Sequence, residues 1–517
     1  MLRGVGSTPK NTLGKTLRNP ISPFISNSSL TMQIAIDAHQ IGGRQNSFRN
    51  SENWRGMEET TLPETVTRMS AALSWERVTL YIVIACLALC YAALAMKYRA
   101  YDIDSPWFQS HSYNLWNDHI DIDTFMNGSF PAGMGGTRVF GKLASLIQAT
   151  VLNHLGWSQR NGAILSSTFV LSALAFWSCF LINIGLPRIQ ASLYILSLGL
   201  LEPFVSMACK SRWEFLSFFV LALSLWLASK RQEFPAILLS FLAVETQPIG
   251  VVVPLVTLIF LLRRQARKSS VLLYFLVASV VSAAVYILIH PLALTTIIHA
   301  DWRRGAGNRI VGGFITGYFF VRKRHLPELG LLLLAGVLYW KRRKAIKDHF
   351  AVSASLAVIL VACIFQHNNP AYMVFLYPFL LLAVWKLLAT KRLSAIVTAV
   401  VALLVLPQYG ILMFHINRHE GYDNRDIDSV KRAIITAQAT MHLPNDQVRI
   451  YGDYGLWFSH PHNYVAADVS TRNSIAKSNV VLCYPAPIQS AALTQPGLLY
   501  CPDILRLGSY RELYIRA

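Results

Sequence analysis

Five aspartates, Asp102, Asp104, Asp118, Asp121 and Asp123, fall within 22 residues, and no Lys or Arg occurs from Asp102 to Thr137. A carboxylate held within hydrogen-bond reach of a hydroxyl can take its proton, which is general-base work. Asp104 directly precedes Ser105-Pro106. That pair predicts a helix start, with Ser as N-cap and Pro at the first helical position. The helix dipole and unpaired amides favour an anion there, so Asp104 stays ionised. Asp102, two residues earlier, can share the task or bind an acceptor. The plainer alternative is that Asp104 only caps the helix. Asp118, Asp121 and Asp123 read as solvated loop residues or a weak divalent-cation site, and no chemistry is assigned to them. No cofactor is expected.

Cations form two groups away from the other basic loops. One is Lys210 and Arg212; the second is Arg303, Arg304 and Arg309, with His299 and Asp301 beside them. Arg presents a fork of donors that matches phosphate geometry. Phosphate binding is one reading of both groups, and anchorage to anionic lipid is the other. Glu202 and Glu245 lie within or near apolar runs, where carboxylates are costly and often functional. His367, Glu245 and Tyr372 are candidate substrate contacts. His460 and His462 with Asp453 invite a metal reading, but no fourth ligand stands at a recognisable spacing, so no metal is expected.

These residues must be held by elements of an unusual chain. Of 517 residues, 53% are hydrophobic and 14% charged, where a soluble chain has about 25% charged. The apolar excess lies in long runs from Val78 to Met413, many of them near the roughly 20 residues that cross a bilayer. The net charge of +20 sits mostly in short loops between these runs, as a positive-inside bias requires. Nucleic-acid binding is therefore excluded as the reading of that charge. About eleven spans are expected, near 78–96, 162–184, 189–206, 214–229, 234–246, 248–262, 271–290, 326–340, 351–366, 371–388 and 393–413. The basic loops put the N-terminus in the cytoplasm and the C-terminal segment outside.

Residues 1–70 are polar and lack a period, which predicts a disordered tail. The first 36 residues are basic and contain no acid, as transit peptides often are. A dispensable tail, or a start at Met57 or Met69, is the favoured reading. Residues 71–415 form the membrane domain, and 416–517 a small extracytoplasmic α/β domain. In the latter a helix is expected at Asp426–Met441, with strands at Val448–Asp453, Tyr464–Ala467, Val480–Tyr484 and Glu512–Ile515. Cys483 and Cys501 can pair in an oxidising compartment. Cys86, Cys90, Cys179 and Cys363 read as small packing residues.

Two further features position the candidates. The first outer loop predicts two interfacial helices. One carries Trp107, Phe108, His111, Leu115 and Trp116 on a face. The other, Val139–Leu155, has apolar residues at Phe140, Leu143, Leu146, Ile147, Val151 and Leu155. The apolar stretch Phe234–Leu262 has basic residues at both ends and Glu245-Thr246-Gln247-Pro248-Ile249-Gly250 at its centre. Two short helices turning at Pro248 and Gly250 satisfy this, because Pro breaks the helical ladder. Such a break lines a cavity or is a packing hairpin.

This pattern resembles the GT-C superfamily of membrane glycosyltransferases, such as the protein O-mannosyltransferases and the aminoarabinose transferases of lipid A. The carrying motifs are Tyr101-Asp-Ile-Asp-Ser-Pro-Trp107, the Glu245–Gly250 turn, and His367-Asn-Asn-Pro-Ala-Tyr372 leading to Tyr377-Pro378. The family's Asp-Glu pair reads Asp-Ile-Asp here, and Asn369 or Ala371 stands near the place of its late Arg. The resemblance implies transfer of a sugar from a polyprenyl phosphate to a hydroxyl of a lipid, glycan or protein. Transfer would occur at the outer face of a bacterial inner membrane, with inversion and with Asp104 or Asp102 as base. It also implies that Arg303, Arg304, Lys210 and Arg212 are candidates for the donor phosphate. A membrane transporter and a lipid-linked glycan polymerase or ligase are the rival classes.

Overall fold

The computed structural model describes residues 62–97, 104–119, 141–264, 268–290, 349–365 and 373–387. It also describes single positions within 330–341 and 435–462 and four short strands near the C-terminus. The chain divides into Met1–Pro63 and a larger unit, Glu64–Ala517, which holds nearly all of the described residues. The expected span at 393–413, the expected strand Tyr464–Ala467 and most of the expected helix Asp426–Met441 lie outside the described residues.

Helix α1 (Leu62–Lys97) begins the bundle. Its inward stripe is Val83, Leu87, Tyr91 and Leu94, the 3.6-residue period of one helix face. The Tyr91 hydroxyl donates to the Gly199 carbonyl at 2.6 Å. Gly199 admits this approach because a Cβ there would lie 2.8 Å from a Leu87 methyl. Helix α4 (Gln159–Asn183) is capped by Ser158, whose hydroxyl accepts the Asn161 N–H at 3.1 Å. Its buried stripe, Val170, Ala173, Leu174, Trp177 and Leu181, packs against α7 (Glu214–Ser229). Rings of Trp177, Phe180, Phe218, Phe260, Phe350 and Phe379 meet in the core. They join α4 and α7 to α10 (Val252–Arg264), α12 (Phe350–Phe365) and α13 (Met373–Leu387).

Among the described residues, three helices are long and apolar enough to cross a membrane: Trp75–Met96, Gln159–Asn183 and Lys268–Ile289. The last, α11, buries only Val271 and Ala278 while Leu272, Leu273, Leu276, Val280 and Leu288 are exposed. That surface suits hydrocarbon and not water. Glu214–Ser229, Phe350–Val361 and Met373–Lys386 are shorter apolar helices. The stretch expected as a span at 189–206 is broken: it is two helices, α5 (Arg188–Gly199) and α6 (Glu202–Cys209), bent by 68°, which together are apolar enough for one span. Pro203, in the first turn of α6, has no N–H to continue the α5 ladder.

The hairpin turns at Pro248 as expected, but its first arm is two helices rather than one. Helices α8 (Glu233–Ser240) and α9 (Leu242–Thr246) lead into a 3-10 turn, Pro248–Val251, and then α10. Gln247 is extended (φ −160°, ψ 154°), as the residue before a proline prefers. A Cβ on Gly250 would meet the Ala243 carbonyl oxygen at 1.9 Å, so only glycine lets the turn lie on α9.

In the first loop, α2 (Asp104–Tyr113) and α3 (Lys142–Leu155) are the two expected helices. Ser105 lies inside α2 rather than capping it. Its hydroxyl instead accepts the Ser211 N–H, at 3.2 Å. Helix α3 turns Ala144, Ser145, Gln148, Ala149 and Leu152 inward and leaves Leu146 and Leu155 exposed. An apolar face turned outward is what a helix lying against hydrocarbon presents.

Near the C-terminus, strands β1 (Ile450–Tyr451), β2 (Val480–Cys483), β3 (Leu498–Tyr500) and β4 (Glu512–Arg516) form one sheet in the order β1-β2-β4-β3. β1 and β2 are parallel, with Ile450 opposite Val480; the other pairs are antiparallel, with Val481 opposite Tyr514 and Leu499 opposite Ile515. Sequence reasoning does not anticipate β3. Cys86 and Cys179 are exposed rather than packed, and Cys209 is buried. Cys501 lies outside the described residues.

Candidate functional site

Asp104 is the first residue of α2, so the helix begins at the carboxylate favoured from sequence. What seats that helix is polar. Ser105, Gln109, Ser110, His111 and Ser112 are all buried. The Ser112 hydroxyl donates to Gln148 Oε1 at 2.5 Å, and Gln148 Nε2 donates to the Ser211 hydroxyl at 2.6 Å. His111 Nδ1 pairs with the Ser145 hydroxyl at 2.6 Å. Gln109 Nε2 donates to the Ser158 carbonyl at 3.2 Å. A Cβ on Gly162 would come within 2.2 Å of Gln109 Nε2 and 2.5 Å of the Ser211 hydroxyl. Glycine there lets α4 close against this layer. Buried polar groups without partners are costly, and chains of satisfied ones fix a single arrangement.

The turn between α6 and α7 contributes the next part. Arg212 is buried and donates through Nε (3.1 Å) and Nη2 to Glu214 Oε1. Its guanidinium also lies 5.7 Å from the centre of the Phe108 ring. Trp213, between them, packs on Phe108 and His111. The same indole lies on Gly141, where a Cβ would fall 1.8 Å from a ring carbon. Lys210 ends α6 and is half-buried.

The hairpin supplies the third part. The Glu245 carboxylate accepts the Lys142 N–H at 2.9 Å and pairs with His290 Nε2 at 2.8 Å through both oxygens. The Gly141 N–H donates to the Glu245 carbonyl. Lys142 Nζ donates to the Ile289 carbonyl at 2.8 Å, at the C-terminal end of α11. One residue along, the Thr246 hydroxyl meets that of Ser217 on α7. Among the described residues, Gln109 Oε1, His290 Nδ1 and Glu214 Oε2 are buried without a hydrogen-bond partner.

Beyond α2 the chain makes a π-turn, Asn114–Asp118. The Tyr113 hydroxyl bonds His462 Nε2, and His462 Nδ1 lies 3.7 Å from Asp118. Trp157 and Trp457 stand edge-on to the Tyr113 ring. Burial above all, then the nearby Asp118 carboxylate, pushes the Tyr113 phenol up to about 12.

Of the sequence candidates, Lys210 and Arg212 lie in the turn whose Arg212 packs on Phe108 of α2, and Glu245 lies at the start of α3. Asp102, Arg303, Arg304, His367 and Tyr372 lie outside the described residues. Sequence reasoning misses His290, Glu214, Gln148 and Ser211. Ser145 and Gln148, three residues apart on the inner stripe of α3, are the available signal.

No family model and no curated protein matches the chain. Among solved structures, ArnT from Cupriavidus metallidurans bound to undecaprenyl phosphate superposes with a TM-score of 0.56 at 14% identity. The match covers 84% of this chain and 97% of that one. ArnT in the apo state gives 0.57, also at 14% identity, over 86% and 98%. The fold here is the ArnT fold. Within it, α2 and α3 are the helices of the first large loop, and the Glu245 hairpin braces them from within the bundle. The apolar helices and this fold make the chain a membrane protein.

Proposed function

We propose that this GT-C protein moves a sugar from a polyprenyl-phosphate donor to an acceptor hydroxyl at the outer face of a bacterial inner membrane. The observation that carries the reading is the match over most of both chains to a structure holding undecaprenyl phosphate. The seating of α2, with Asp104 at its start, adds to it. Asp104 takes the acceptor proton as the hydroxyl oxygen attacks the anomeric carbon. The new glycosidic bond forms as the bond from carbon to phosphate oxygen breaks, and the lipid phosphate leaves with the electron pair. A phosphate is already a weak base, so no second carboxylate acid is required, unlike the paired carboxylates of glycosidases. Asp102 assists or binds the acceptor. Arg303, Arg304, Lys210 and Arg212 neutralise the donor phosphate, with the Arg212 fork held by Glu214. His367 and Tyr372 contact substrate. The spans number about eleven, with the N-terminus cytoplasmic and residues 416–517 an α/β domain outside.

The test is transfer from a labelled polyprenyl-phosphate sugar by the purified protein in detergent. Asp104→Asn is expected to lower turnover by a factor of roughly 100 to 10,000 with donor binding and thermal stability retained. Near-normal turnover in Asp104→Asn, Asp102→Asn and the double variant would remove the base from this loop.

A further inference from the structure

Glu245 has the placing of a residue that touches substrate, a carboxylate at a helix break inside a membrane bundle. Its bonding argues for another role. An ionised carboxylate only accepts hydrogen bonds, and here both oxygens are engaged in a buried setting, by His290 and by the Lys142 N–H. The backbone repeats the tie, since the Gly141 N–H donates to the Glu245 carbonyl. Lys142 then reaches Ile289, one residue before His290. Glu245 thus joins the start of α3 to the end of α11. At the first point the chain returns from the stretch holding Asp118, Asp121 and Asp123; at the second it departs toward Arg303 and Arg304.

We infer that Glu245, with His290, is a positioning pair that fixes the start of α3 and the end of α11 to one another. The functional part rests on the transferase reading. The arrangement places one buried carboxylate between two segments far apart in sequence, Lys142 and His290. Neither segment's placing survives its loss unchanged. Removing one partner of a buried pair strands the other without compensation. A displacement of about 1 Å at the reacting groups costs on the order of 100-fold in rate.

The experiment compares wild type, Glu245→Gln, Glu245→Ala and His290→Ala by amide hydrogen exchange and by transfer kinetics. Glu245→Ala is expected to speed exchange about tenfold or more at Lys142 and in the last turn of α11, Tyr286–Ile289, together. Glu245→Gln keeps an acceptor oxygen for the Lys142 N–H and should restore most of that protection. In transfer, Glu245→Ala should lower kcat about 100-fold with acceptor KM little changed. Adding His290→Ala should cost little more, because the two act as a unit. Exchange unchanged at either end overturns the inference. So does a rise in KM shared by the Gln and Ala variants at constant kcat, which would make Glu245 a substrate contact. The exchange arm needs no substrate. Failure of wild type to transfer sugar therefore sinks the transferase reading, while exchange decides the tie. Should Glu245→Ala not fold, His290→Ala must show the same paired loss of protection, and its absence overturns the inference equally.

Discussion

Replacing Gly141 by alanine probes the point where the three parts of the site meet. Gly141 has φ +87° and ψ 8°, in the left-handed region that costs an L-residue roughly 1–2 kcal/mol. Its added Cβ would fall 1.8 Å from Trp213 Cζ3 and 2.5 Å from two further ring carbons. Trp213 is fully buried and held by Phe108 and His111, so it cannot swing away cheaply. Overpacking of this kind adds roughly 1–3 kcal/mol, for a total of about 2–5 kcal/mol. Gly185 supplies the control. Its φ is +94° and nothing lies within 4 Å of its Cβ position, so Gly185→Ala should cost only the backbone part. The assay is the thermal midpoint of each purified variant in one detergent. At about 2 °C per kcal/mol for a large domain, Gly141→Ala should melt roughly 2–6 °C below Gly185→Ala. Equal midpoints would refute the packing of Trp213 on the start of α3, and with it the link between the Arg212 turn and the hairpin.

Other outcomes follow from the same geometry. Glu214→Ala should destabilise by roughly 3–5 kcal/mol, because it removes the carboxylate that accepts from the buried Arg212 guanidinium. The double change Arg212→Met with Glu214→Leu should restore most of the stability but weaken donor-phosphate binding; chemical denaturation and donor binding read the two separately. The Tyr113 phenol is raised from 10.0 to about 12. The neutral phenol therefore adds stability below pH 10 that is lost as pH rises through about 12. Wild type should lose its advantage over Tyr113→Phe across that window in thermal melts, and a constant difference would contradict the burial. Cysteines introduced at Asn127 and Asn445 should label from the same, outer side of the membrane; labelling from opposite sides would break the proposed topology.

Long apolar runs are legible because membrane helices must satisfy every backbone group internally and show only hydrocarbon outward. The expected span 214–229 coincides with α7, Glu214–Ser229. Hydropathy is blind to direction, so it runs through Leu200–Leu201 without showing the bend between α5 and α6. Ser105 escapes sequence reasoning because a local rule assigns its hydroxyl to its own helix. A bond to Ser211, 106 residues away, is decided by tertiary packing. His290 is invisible as the partner of Glu245 for the same reason: the two are 45 residues apart, and no local spacing joins them. The start of α2, expected two residues later, and the Pro248 turn are legible because helix starts and breaks are written in adjacent residues.

The layer beneath α2 is made almost wholly of hydroxyls and amides: Ser105, Ser112, Gln109, Gln148 and Ser211. None of these groups ionises, and neutral hydrogen bonds are not weakened by the mobile ions that screen charge pairs. Only the bond from His111 to Ser145 carries a titratable member within this layer. The neutral bonds of this seat are thereby insulated from the ionic strength of whatever medium bathes the protein. A change of surroundings would act instead on His111 and on the charged ties around the layer, Arg212 with Glu214 and Glu245 with His290.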